Sequence, residues 1–282
     1  NVRGSLAGNL QLSGTLSAPQ FQGRIQTQGF SAELPRAGLK LHDGEFAING
    51  DAQGRLAITG QIASGSGVLH VDGSPGLAAN APLTLDIKGD KVLVAAIQSA
   101  HVVDSHALHI TRADGVLALT GSVAIPDAKV EVEKLPGQGP AQASPDVVIV
   151  DAPPTAQVAP LAMNADIEVK LGDSVKLQGY GLDGTVRGQL AVRTRPGQPA
   201  TGRGEIRIDG KYQAYGQNLS IERGRLLFAG TRLDNPGLDI RAARNIRSQN
   251  ITVGLSIRGT AQRPVLTVFS DPAMEQAEAL SY

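Results

Sequence analysis

Three histidines, His101, His106 and His109, lie close together with Asp104 between them. Imidazole beside carboxylate is the raw material of metal ligation and of acid–base catalysis. Metal ligands must converge, however, and in an extended chain His106 and His109 project from opposite faces. They read as polar residues facing solvent. Asp104-Ser105-His106 holds the residue types of a nucleophilic triad, but a triad is a spatial arrangement, and no serine here sits in a strand–turn–helix elbow. Gly179-Tyr180-Gly181-Leu182-Asp183-Gly184 matches GxGxxG, a fingerprint that needs a following helix to hold a pyrophosphate. Thr185-Val186-Arg187-Gly188-Gln189-Leu190 reads as another strand instead, so the motif is a turn. Asp86 with Asp90, and Asp209 with Glu222, are carboxylate pairs that nothing separates from surface acids. No catalytic residue, metal ligand or cofactor is assigned, and the expectation is a protein that is not an enzyme.

The elements around these residues alternate with a period of two. Ile251, Val253, Leu255 and Ile257 alternate with Thr252, Gly254 and Ser256. Ile206 and Ile208 alternate with Glu205, Arg207 and Asp209, and Tyr212 keeps the phase beyond Gly210. Ile167, Val169 and Leu171 alternate with Asp166, Glu168 and Lys170. Leu85 with Ile87, Val130 with Val132, Leu56 with Ile58 and Ile62, and Leu10 with Leu12 and Leu16 do the same. Each segment therefore has one apolar and one wet face. The pairs Asp43-Gly44, Asn49-Gly50, Asp72-Gly73, Asp114-Gly115, Asp183-Gly184 and Asp209-Gly210 suit hairpin turns between antiparallel neighbours. Asp209-Gly210 sits inside an alternating run and also reads as a bulge. Helical periodicity is nearly absent, with one short start at Ser270-Asp271-Pro272. The fold class is all-β, built from short, mostly antiparallel strands.

Composition narrows the function. There are no cysteines, which excludes disulfides and thiolate chemistry. Net charge is zero, giving no basis for nucleic acid as a partner. The part from residue 203 onward is mildly basic, with 11 basic and 8 acidic residues, and reads as a solvated face. The longest apolar run, Val92 to Ile97, is far shorter than the roughly 20 residues of a membrane-spanning helix. Only 3% of residues are aromatic, with no Trp, which argues against the aromatic girdles of a transmembrane barrel.

Six prolines between 134 and 162 leave little room for ladder pairing. The expected organisation is an N-terminal β-strand part over 1–133, a Pro-rich linker or loop over 134–162, and a C-terminal β domain over 163–282. Val147 to Val150 inside the linker has the pattern of one short strand. The chain opens in mid-pattern at Asn1 and closes at Tyr282 on a barely begun helix, so an excised piece of a longer protein is expected.

The C-terminal part carries a series of spaced motifs. Gly210-Lys211-Tyr212-Gln213-Ala214-Tyr215-Gly216 precedes Ile221-Glu222-Arg223-Gly224-Arg225-Leu226, then Asp234-Asn235-Pro236 and Leu238-Asp239-Ile240-Arg241. Val253-Gly254-Leu255-Ser256-Ile257-Arg258-Gly259, Phe269-Ser270-Asp271-Pro272 and Leu280-Ser281-Tyr282 follow. This order resembles the TamB C-terminal domain family, within the AsmA-like group of translocation and assembly module subunits. The resemblance covers about residues 163–282, and family members usually continue past Leu280-Ser281-Tyr282. It implies a long curved sheet folded like a taco around an apolar groove. It also implies a periplasmic bridge, anchored in the inner membrane of a Gram-negative cell by a segment outside this chain, with the outer-membrane barrel TamA as partner. The implied activity is phospholipid transfer, with support of outer-membrane protein assembly.

On that reading Ile167, Val169, Leu171, Ile206, Ile208, Ile251, Val253, Leu255 and Ile257 line the groove and meet the acyl chains. Glu205, Arg207, Asp209 and Lys211 then face water. Leu255→Arg is expected to block acyl passage while leaving the fold intact. The alternative is a chaperone-like module that binds unfolded outer-membrane protein strands by β-augmentation.

Overall fold

The computed structural model describes residues 1–15, 18–51, 55–75, 82–113, 116–132, 163–214 and 216–275. All of its strands belong to one 15-stranded sheet whose spatial order is the order of the sequence. The first eight are β1 (Val2–Thr15), β2 (Ala18–Leu34), β3 (Leu39–Gly50), β4 (Leu56–Ser64), β5 (Gly67–Ser74), β6 (Leu83–Ile97), β7 (Ala100–Ala113) and β8 (Val116–Glu131). The remaining seven are β9 (Met163–Gly179), β10 (Leu182–Thr194), β11 (Thr201–Ala214), β12 (Gln217–Arg232), β13 (Gly237–Ile246), β14 (Ile251–Thr260) and β15 (Arg263–Asp271). The sheet is long, open and curved, as the all-β reading and the family resemblance require.

Strands run from 8 to 17 residues, longer than the spacing of Asx-Gly pairs predicts. Several of those pairs lie inside strands instead of at turns. Asp43-Gly44 is a bulge within β3, with Asp43 at φ 53° and a register shift between His42 and Glu45. Asp72-Gly73 and Asp183-Gly184 are paired residues of β5 and β10. Asp209-Gly210 pairs in register with β10, and its irregularity lies toward β12. There Glu222 is an extra residue between Ile221 and Arg223. Asp114-Gly115 lies outside the described residues. The GxGxxG segment is a hairpin turn, with Tyr180 at φ 51° and Gly181 at φ 83°, the positive pair of a type I′ loop.

The strand glycines have a different task. Direct cross-strand partners share a face, and register places Gly60, Gly73, Gly89, Gly121, Gly188, Gly204 and Gly224 on the same face as the large aliphatic side chains. On the inside of a curling sheet side chains crowd, and a residue without Cβ removes the obstruction. Gly204 shows the limit: its φ is 142°, and a Cβ there would lie 2.3 Å from the Gln189 carbonyl oxygen. Phe46 lies across Gly60 in the same way, where an added Cβ would meet its ring at 2.2 Å.

Every neighbouring pair is antiparallel except β8 and β9, which run parallel. Leu117 pairs with Met163 at one end and Glu131 with Gln178 at the other. The chain must therefore return along the length of a strand between Glu131 and Met163, roughly 50 Å for 16 residues at about 3.3 Å each. A long connection is what parallel pairing demands. Most of it, including the Pro-rich segment 134–162 and Val147 to Val150, lies outside the described residues. The expected helix start is the end of β15, where the Ser270 hydroxyl accepts the Met274 N–H at 2.9 Å. Residues 276–282, into which a helix would continue, also lie outside.

Candidate functional site: an apolar inner face

Register settles which side chains share the inner face of the C-terminal strands. Ile167, Val169 and Leu171 on β9 stand opposite Val192, Leu190 and Gly188 on β10. Gly188 in turn faces Ile206, and Val186 faces Ile208. Ile251, Val253, Leu255 and Ile257 on β14 face Ile246, Arg244, Ala242 and Ile240 on β13. The nine predicted groove residues thus lie on one continuous face. Sequence reasoning missed other members: Val175, Val186 and Phe228 are buried beside Ile206, and Leu219 and Ala242 beside Leu255. The extra residue Glu222 shifts the phase of β12 between Leu219 and Leu226, so simple alternation did not connect Leu219 with the rest.

This face is packed without being sealed. Ile206, Val253 and Leu255 are buried, whereas Ile167, Val169, Leu171, Ile208, Ile251 and Ile257 remain half-buried. No large side chain among the described residues is fully enclosed. Between β10 and β14 the face opens into an apolar cavity of about 180 Å³, lined by Leu182, Ile208, Tyr212, Ile221, Gly224, Ile240, Ala242, Leu255 and Ile257. Leu255 is only 6% exposed and packs with Leu219 and Ala242. A charge at Leu255 would be desolvated, so Leu255→Arg disturbs the fold as well as the groove, contrary to the expectation from alternation alone.

The outer face is a lattice of ion pairs. Glu205 accepts from Arg225 at 2.6 Å and from Arg207 at 2.8 Å, and these bonds hold its carboxyl at about 2. Arg193 and Arg195 hold the Asp166 carboxyl below its ordinary range through hydrogen bonds of 2.7 Å. Asp209 pairs with Arg187 and Glu222 with Arg241, so these two acids are surface ion pairs. Asp86 meets His109 at 2.9 Å and Asp90 accepts from the Ser105 hydroxyl at 2.9 Å.

The histidines separate as their spacing requires: His109 is on the outer face, and His106 is on the inner face. His106 is buried, contrary to a solvent-facing reading, because β7 turns it toward Gly89 and Val123. Its Nδ1 lies 3.1 Å from both Asp104 carboxylate oxygens. Gly89 makes the room, since a Cβ there would be 2.7 Å from His106 Cε1.

Comparison with known proteins agrees with this architecture. The profile of the family described as "TamB C-terminal domain" matches residues 58–282. A relative named "Translocation and assembly module subunit TamB" from Haemophilus influenzae is 27% identical over 300 residues. That alignment covers all of this chain and 23% of the relative, so the chain spans about a quarter of the relative's length. One sheet ordered as the sequence, with its apolar residues and glycines gathered on a single inner face, is thus accompanied by a profile match over most of the chain: this protein belongs to the TamB C-terminal domain family.

Proposed function

We propose that this chain forms part of a non-catalytic periplasmic bridge, anchored in the inner membrane of a Gram-negative cell, that conducts phospholipid acyl chains along its inner face. In this reading it supports outer-membrane protein assembly together with a TamA barrel. The observation that carries the proposal is the continuous, incompletely sealed apolar face on a single curved sheet. A chain of 16 methylenes crossing bare water faces roughly 12 kcal/mol at about 0.8 kcal/mol each. An apolar face removes most of that barrier. Fifteen strands at about 4.8 Å give roughly 70 Å of such a path. The outer ion pairs keep the other face wetted.

Photo-crosslinkers at Ile208 and Leu255 on the inner face should capture lipid, and those at Arg207 and Lys211 on the outer face should not. Capture only at the outer positions would reverse the assignment. Lipid extraction with native mass spectrometry on the purified chain should recover bound phospholipid.

The edge strand β15 favours a second reading. Residues 263–267 are exposed, with Val265 at 62% and Leu266 at 53%. Among the described residues β15 is the last strand of the sheet, and its outer edge is where an unfolded outer-membrane strand would pair by β-augmentation. A crosslinker at Val265 would then capture polypeptide.

A further inference from the structure

The apolar cavity between β10 and β14 has one residue with a polar side-chain atom in its wall. Of the nine residues that line it, eight are aliphatic or glycine, and the ninth is Tyr212. Tyr212 stands on the inner face of β11, opposite Leu182 on β10 and Leu219 on β12. Its ring packs against the buried cluster of Leu219, Ala242 and Leu255. It lies near the end of β11, about 13 Å along the strand from Ile208 at about 3.3 Å per residue.

Other hydroxyls on the inner face have partners within the protein. Ser64 donates to the Leu93 carbonyl at 2.6 Å, and the Ser270 hydroxyl accepts the Met274 N–H at 2.9 Å. The Tyr212 hydroxyl bonds to no described residue. Among the described residues no buried side-chain nitrogen or oxygen lacks a partner, so this unbonded oxygen on a half-buried residue is accessible and not sealed in. A tyrosine with its ring in apolar surroundings and its oxygen accessible marks a boundary between apolar and polar groups.

The chemistry of the wall narrows what meets that oxygen. A phenol donates one hydrogen bond, and its complement here is an acceptor attached directly to an apolar chain. Plain hydrocarbon offers no acceptor. A fatty-acid carboxylate would bring a charge into a cavity with no cation in its wall. An acyl ester places a neutral carbonyl oxygen at the first carbon of the chain.

We propose that the Tyr212 hydroxyl donates to the ester carbonyl of a glycerolipid whose acyl chain enters the cavity, so that Tyr212 selects ester-linked lipids. The contact rests on the groove reading above and adds to it one polar point at a fixed place along the path.

The test titrates the purified protein, by native mass spectrometry, with a diacyl phosphatidylglycerol and with its dialkyl ether analogue. The two share headgroup and chain length, and only the first has carbonyls. The native protein should bind the diacyl form about fivefold more tightly, the effect of one neutral hydrogen bond. Tyr212→Phe keeps the ring against Leu219 and should bind both forms with the affinity the native protein has for the ether. A diacylglycerol and its dialkyl counterpart should show the native ratio too, because the contact is to the ester; a ratio confined to the phospholipids would put the selection at the headgroup and overturn the proposal. A native protein that does not distinguish the linkages overturns it, as does a Tyr212→Phe variant that still does. Equal weakening of both forms in Tyr212→Phe would leave the residue a packing element and also overturns it. A native protein that binds none of these lipids refutes the groove reading itself, an outcome separate from these.

Discussion

If an acyl chain rests in the cavity between β10 and β14, filling that cavity with the protein's own atoms must weaken lipid binding without weakening the fold. Ala242 is the residue to enlarge, because it is buried and its methyl lines the cavity beside Leu255. The apolar space beside it, about 180 Å³, has room for a larger side chain. Ala242→Leu adds three carbons, worth about 2.4 kcal/mol at 0.8 kcal/mol each. The folded protein gains that packing, and a bound chain loses it. At about 1.4 kcal/mol per decade the loss corresponds to roughly 50-fold in Kd. Fluorescence titration with an uncharged acyl probe should show this weakening, while the thermal midpoint stays level or rises. A lower midpoint with unchanged probe affinity would refute the reasoning, since the leucine would then be overpacking a full core.

Two further perturbations address the outer face and the glycines. Glu205 has its carboxyl held at about 2, below the ordinary 4.5, first by Arg225 and then by Arg207. A depressed folded-state value means that its contribution is complete above pH 4.5 and is lost as pH falls toward 2. The difference in thermal midpoint between the native protein and Glu205→Gln should therefore shrink through that window; a difference independent of pH would refute it. Gly204→Ala should cost on the order of 1–3 kcal/mol through its φ of 142° and the clash with the Gln189 carbonyl. Gly216→Ala, at φ 76° with nothing within 4 Å, should cost less in the same melting assay; equal losses would remove crowding from the explanation.

The fold class was legible because Ile251 to Ile257 and Ile167 to Leu171 alternate without interruption, and the nine residues chosen that way share one face. What alternation could not carry was phase across a bulge. Leu219 and Ile221 belong with Leu255, yet the extra Glu222 in β12 breaks the count between them and Leu226. Asx-Gly pairs misled for a related reason. A glycine in a turn and a glycine under a neighbouring side chain have the same sequence signature, and only the register reveals that Gly73 and Gly184 are paired inside strands. The parallel joint between β8 and β9 was illegible too. A Pro-rich stretch reads alike whether it links separate units or carries the chain back along a strand.

The glycine pattern also accounts for how a single sheet can leave its apolar face partly open. Domains ordinarily bury such a face under a second layer. Here β8 to β12 supply their own cover: Ala128, Val175, Val186, Ile206 and Phe228, one from each strand, form one buried cluster by curling toward each other. That curl requires close approach on the inside, which Gly188 and Gly204 permit by lying against the Glu205 and Gln189 carbonyls. A Cβ at those positions would splay the strands, and fewer glycines would therefore give a flatter sheet with its apolar face exposed. More complete closure would fill the space beside Leu255. The observed spacing of small and large residues holds the sheet between those limits, with enough burial to fold and a cavity of about 180 Å³ left over. That remainder is apolar, as the proposed acyl cargo requires, so the groove's curvature and the proposed path rest on the same residues.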